Sequence, residues 1–133
     1  MMMIETYKIE VHAPVGANGS ATQAVTTPGI ITGRVLMIAC EYLSSPPATT
    51  DVTVATAGDQ GPARTLMAVA SATTDFAKQP MVQASDPASG AALAYTTTVH
   101  EVYVPPVIND RVTVTVAQSD ANKGVDVWIT VEH

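Results

Sequence analysis

A chain of 133 residues with a net charge of −6 is of single-domain size and buries enough surface to fold without disulfide or metal staples. Its six basic residues, Lys8, Arg34, Arg64, Lys78, Arg111 and Lys123, are scattered, so the electrostatic footprint of a nucleic-acid binder is missing, and an acidic surface is repelled by phosphate and anionic lipid. Neither a direct nucleic-acid partner nor a membrane partner is expected, and the single cysteine, Cys40, excludes an intramolecular disulfide and a cysteine-based metal centre.

The first residues, Met1-Met2-Met3-Ile4-Glu5, lack the basic start and apolar stretch of a secretory signal, and no later apolar run has the length of a membrane span, so synthesis in a cytoplasm is expected. Ile4 to His12 alternates loosely, with Tyr7, Ile9 and Val11 on one side and Thr6, Lys8 and Glu10 on the other, the pattern of a half-buried strand. Pro14, Gly16, Asn18 and Gly19 end it. Residues 1–20 are therefore expected to form an N-terminal strand or arm with its linker, with Tyr7, Ile9 and Val11 as candidate arm residues reaching a neighbouring molecule. A β-sandwich domain is expected over 21–133.

Ala21 to Thr27 is composed as a short, weak strand closed by the Pro28-Gly29 turn pair. Gly33 to Leu43 follows, apolar at every position from Val35 to Cys40. Such a run is either a strand covered on both faces or a buried helix segment. Its neighbours favour the strand, and within it Cys40 has the setting of a small buried hydrophobe. After Ser44-Ser45-Pro46-Pro47, the segment Asp51 to Ala57 alternates Val52 and Val54 with Thr53 and small residues, as its antiparallel partner would.

Arg64 to Ala70 supplies another apolar segment, and Ser71 to Gly90 then reads as a long excursion with at most one short strand. Long ordered loops of this kind tend to carry binding surfaces. Ala91 to Val104 returns to β-branched and aromatic residues and stops at Pro105-Pro106.

The clearest signal is the last one. Val112, Val114 and Val116 alternate with Arg111, Thr113 and Thr115, and Val125, Val127, Ile129 and Val131 alternate with Asp126, Trp128, Thr130 and Glu132. This reads as a closing hairpin with one apolar side and one polar side. The full count is about eight antiparallel strands and no convincing helix, giving an all-β fold, a single-domain sandwich or barrel.

Chemistry-bearing patterns are few. His12, His100 and His133 lie far apart and none has a ligand-spaced neighbour, so neither a metal site nor a cofactor is expected. No Gly-x-Ser-x-Gly elbow is present, and a thiol in a solid apolar run lacks the electropositive, accessible setting of a nucleophile. Asp51, Asp59, Asp75, Asp86, Asp110 and Asp120 fall mostly at strand ends and turns, where Asp caps local backbone. Trp128 alone is out of place on a Thr-rich face. Thr113, Thr115, Trp128 and Thr130 make up a candidate contact face for another subunit or partner.

The order Gly33-Arg34-Val35-Leu36, Asp51-Val52-Thr53-Val54, a Leu-bearing strand at Leu66, Pro80 followed by Asp86-Pro87-Ala88-Ser89-Gly90-Ala91-Ala92-Leu93, and Asn109-Asp110-Arg111-Val112-Thr113-Val114-Thr115-Val116-Ala117-Gln118 before a short Gly turn resembles small tailed-phage virion proteins. It is most similar to head decoration or cement proteins with a β-sandwich or jelly-roll fold. The resemblance runs from Gly33 to the end, and Thr73 to Gln79 departs from the tyrosine-rich or tryptophan-containing segment expected before Pro80. It implies a non-enzymatic protein on the exterior of the capsid. Such a protein oligomerises, as a dimer or trimer, and clamps neighbouring major capsid proteins. A receptor- or glycan-binding sandwich module of a tail, head fibre or cell surface is the alternative.

Overall fold

Four antiparallel strand pairs, nested one inside the next, organise the chain as one long ribbon folded over on itself. The computed structural model describes residues 2–83 and 103–133. Eleven strands lie in this part: β1 (Ile4–Val11), β2 (Ala21–Thr26), β3 (Ile31–Tyr42), β4 (Asp51–Thr56), β5 (Thr65–Val69), β6 (Phe76–Lys78), β7 (Val82–Gln83), β8 (Tyr103–Val104), β9 (Val107–Asp110), β10 (Val112–Ser119) and β11 (Val125–Glu132). The ribbon ends with the outermost pair, β1 against β11, and narrows through β2 with β10 and β3 with β6 to its tip at β4 and β5.

Wrapping that ribbon brings β11 beside β3 and β10 beside β4. The result is two sheets, ordered β1-β11-β3-β6 and β2-β10-β4-β5, which is the two-sheet jelly roll. β9 pairs with the first part of β3, in line with β6 along the same edge, and β7 with β8 forms a separate two-stranded ribbon. Of the sandwich or barrel read from the periodicity, the sandwich is the fold, with a frame of eight strands and three short additions.

Period two explains why the sheets meet as they do. Val112, Val114 and Val116 of β10 and Val125, Val127, Ile129 and Val131 of β11 are all fully buried, and they join Ile9, Val11, Ile31, Val35, Ile38, Val52, Val54 and Ile108 in one core. Fully burying one Val or Ile side chain is worth roughly 1.5–3 kcal/mol. That core is almost entirely β-branched, so its χ1 angles are stiff and suited to a pleated surface.

The apolar run of β3 resolves by a bulge. Met37 pairs with Thr130 and Val35 with Val131, so Leu36 is an extra residue on β3, and Val35 and Ile38 both point into the core although they are an odd number of positions apart. Leu36 and Ala39 are half-buried and Met37 is exposed on the other face. Cys40 is buried as expected, and that burial, reinforced by the Asp75 and Asp126 charges, pushes its thiol up to about 12.

Two expectations are corrected by the topology, and one alternative is decided by it. β10 and β11 are not a hairpin: they belong to opposite sheets, and the turn between them carries the chain across the core. Alternation reports that each strand has one buried face and is silent on whether two such strands share a sheet. For the same reason β4 pairs with β10 and β5, not with β3. Finally, of the strand or arm left open for residues 1–20, β1 is the strand. It pairs with β11 along its whole length, Ile9 and Val11 lie in the core, and Tyr7 packs against it, so residues 1–20 include an integral edge of the sandwich.

The described part of the excursion after Ser71 contains two short strands, β6 and β7, where one at most was expected. Most of the strand read over Ala91 to Val104, with His100 and Asp86, lies outside the described residues.

Candidate functional site

The expected contact residues do not form one face. Thr113 and Thr115 are outward-facing on β10, whereas Trp128 and Thr130 are outward-facing on β11, in the opposite sheet. Two of the hydroxyls are engaged across strands: Thr113 Oγ1 lies 2.8 Å from Thr26 Oγ1 and Thr130 Oγ1 lies 3.1 Å from Thr6 Oγ1. Such pairs stabilise a sheet on their own account.

Trp128 is half-buried, with the Lys8 ammonium 5.5 Å from its ring centroid. Register places Lys8 on one side of it and Ala39 on the other. A desolvated cation–π contact is worth about 2 kcal/mol, and an exposed one about 0.5–1 kcal/mol. Part of the indole is therefore satisfied within the sheet, and the rest reaches solvent.

Carboxylates at turns do cap backbone, but mostly across the fold. Asp120 accepts from Gly19 N at 2.8 Å, Asp75 from Tyr42 N at 2.8 Å and Asp51 from Ser71 N at 2.8 Å. Asp110 goes furthest. Its buried carboxylate accepts from the backbone N–H groups of Gly58, Asp59, Gln60 and Arg111, tying the β4–β5 loop to the start of β10. Burial pushes that carboxyl up, yet the four donors together hold it below the ordinary carboxylate range.

A group depressed in this way stabilises the fold fully above the unfolded-state pKa and loses the effect as pH falls through the folded one. Asp110→Ala is accordingly expected to lower the urea midpoint at neutral pH. The gap to the parent should close on acidification below the usual carboxylate range. A gap unchanged by pH would show that the carboxylate charge contributes nothing.

Two clefts flank the sandwich. One of about 420 Å³ is lined by Thr56, Gln60, Arg64, Val107, Asn109 and Asp110 among others. Two of its polar side chains are engaged within the fold: Arg64 Nη2 donates to the Val107 carbonyl at 2.6 Å and Thr32 Oγ1 donates to Asn109 Oδ1 at 2.8 Å. The other, of about 370 Å³, is largely apolar and lies between Tyr7, Lys8 and the Thr27–Ile31 turn.

Large apolar side chains crowd the β7–β8 ribbon. Met81, Val82, Tyr103 and Val104 are between 39% and 50% exposed, and Val82 pairs directly with Val104. At the sheet edge, Met2, Met3 and Ile4 are exposed as well.

One cluster was missed by sequence reasoning. Glu10, His12 and Asp126 converge so that one nitrogen or oxygen ligand atom from each lies within 4.8 Å of the others. Period two alone places Glu10 and His12 on one face; Asp126 joins them only through the β1·β11 register, which sets it opposite Glu10.

Comparison of the sequence with protein-family models, with curated proteins and with solved structures finds no match in any of the three. The class established by the fold is a jelly-roll β-sandwich.

Proposed function

We propose that this protein is a non-enzymatic virion structural protein of a tailed phage, a capsid decoration or cement protein. It binds the outside of the head and stabilises contacts between major capsid proteins, and it acts as a homo-oligomer. The observation that carries this reading is the apolar β7–β8 ribbon, which stands outside both sheets of the sandwich. Contiguous exposed apolar surface is the mark of a surface used for association. Jelly rolls recur in viral capsid proteins, and this supports the reading by fold-level analogy alone.

Binding of the purified protein to particles lacking it, measured by co-sedimentation and by copy number per particle, tests the proposal. Saturation at a copy number comparable to that of the capsid subunits is expected. Val82→Ser combined with Val104→Ser is expected to weaken binding by at least about tenfold, as loss of interface anchors does. A few copies confined to a tail or a single vertex, or capture of a glycan without particle binding, would overturn it in favour of a receptor-binding module.

A further inference from the structure

We infer that Glu10, His12 and Asp126 form a binding site for a divalent transition-metal ion of zinc type. The three side chains come from two strands whose pairing is fixed. Glu10 and Asp126 are directly opposite in the β1·β11 register, and His12 follows Glu10 by two residues on the same side. One imidazole nitrogen and two carboxylate oxygens lie within 4.8 Å of one another, donors of the types that zinc takes, with its remaining positions open to water.

The row in which these carboxylates stand carries excess negative charge. Asp126 is opposite Glu10 on one side and opposite Glu41 of β3 on the other, so three carboxylates lie abreast on the outer face. Like charges directly opposite across strands are destabilising. Among the described residues, Lys8 Nζ lies 3.2 Å from Glu10 Oε1 in an exposed pair, and His12 Nε2 contacts Asp126 Oδ1. A divalent ion held by the neutral imidazole and both carboxylates relieves the repulsion along the row.

The choice of ion follows from the donors. Imidazole suits Zn²⁺, Ni²⁺ and Cu²⁺, whereas Mg²⁺ and Ca²⁺ take oxygen ligands almost alone. Because the ligands are united only in the folded sheet, the ion binds the native state and raises its stability. It also pins the edge strand β1 to β11 at the end where His12 leaves the sheet.

The test uses the untagged full chain, freed of metal, in a non-chelating buffer near neutral pH. Isothermal titration with zinc chloride is followed by thermal unfolding with and without zinc, and with magnesium chloride in parallel. One zinc ion per chain and a raised Tm are expected, with no rise in magnesium. His12→Ala and, separately, Asp126→Asn are expected to lose at least about tenfold in zinc affinity, the scale of losing a metal-site partner. His133→Ala, which removes the imidazole paired with Glu5 at 3.2 Å, is expected to bind as the parent does. No binding heat with an unchanged Tm in the parent would overturn the inference, as would undiminished zinc affinity in His12→Ala.

Discussion

Replacing Gly124 by alanine is expected to cost more than about 4 kcal/mol, a loss confined to a short list of mechanisms and a large part of the roughly 5–15 kcal/mol that holds a domain together. Gly124 is buried in the turn that carries the chain from β10 to β11. A Cβ built there would sit 1.7 Å from the Val11 carbonyl oxygen and 2.7 Å from its carbon. Both are backbone atoms of an edge strand and cannot swing aside as a side chain would. Nor can the turn retreat, because the Gly124 carbonyl accepts from Leu43 N at 3.0 Å on the opposite side. Relief requires β1 to part from β11 at Val11 and Val125, the last pair of their register, and so to expose Val11. Gly29 is the comparison: nothing lies within 4 Å of a Cβ built there, so Gly29→Ala is expected to stay within about 1 kcal/mol of the parent and to fall on the stabilising side. Urea unfolding of the two variants decides the matter. A Gly124→Ala protein within about 1 kcal/mol of its parent would mean that the close approach of turn and edge strand is wrong.

That close approach marks where sequence reading stops. Alternation along Val112 to Val116 and Val125 to Val131 identified the buried rows, and Pro-Gly or Pro-Pro pairs marked several strand ends, because both signals are local. Pairing is not local. Val11 meets Val125, and Gly124 meets Val11, only because the ends of the chain are the outermost pair of the ribbon. The same limit hid the Glu10, His12 and Asp126 cluster, two members of which are two positions apart in sequence and the third more than a hundred residues away. It also made one contact face out of two, since Thr113 and Trp128 carry equally polar surroundings on opposite sheets. The bulge at Leu36 was concealed in another way: a run apolar at every position has no phase from which a slip could be read. Asp residues at turns were legible as caps, but not the distance across which Asp110 acts.

Ile129 and Trp128 are adjacent in sequence and are expected to separate stability from assembly. Ile129 is fully buried at the middle of β11, between Tyr7 of β1 and Ile38 of β3. Ile129→Ala removes three carbons from a core of stiff β-branched side chains that relax poorly around a cavity, and should cost about 2–5 kcal/mol in urea or thermal unfolding. Trp128 points the other way, to the outer face, where Lys8 is its cationic neighbour. Trp128→Ala forfeits that contact and some packing and should cost only about 1 kcal/mol. Particle binding inverts the order if the β11 outer face takes part in assembly: Ile129→Ala, assayed well below its Tm, should bind nearly as the parent does, while Trp128→Ala should lose affinity. Should Trp128→Ala bind undiminished, assembly would rest on the β7–β8 ribbon rather than this sheet. Should it unfold as readily as Ile129→Ala, the indole would be a core residue and its face would play no part in assembly.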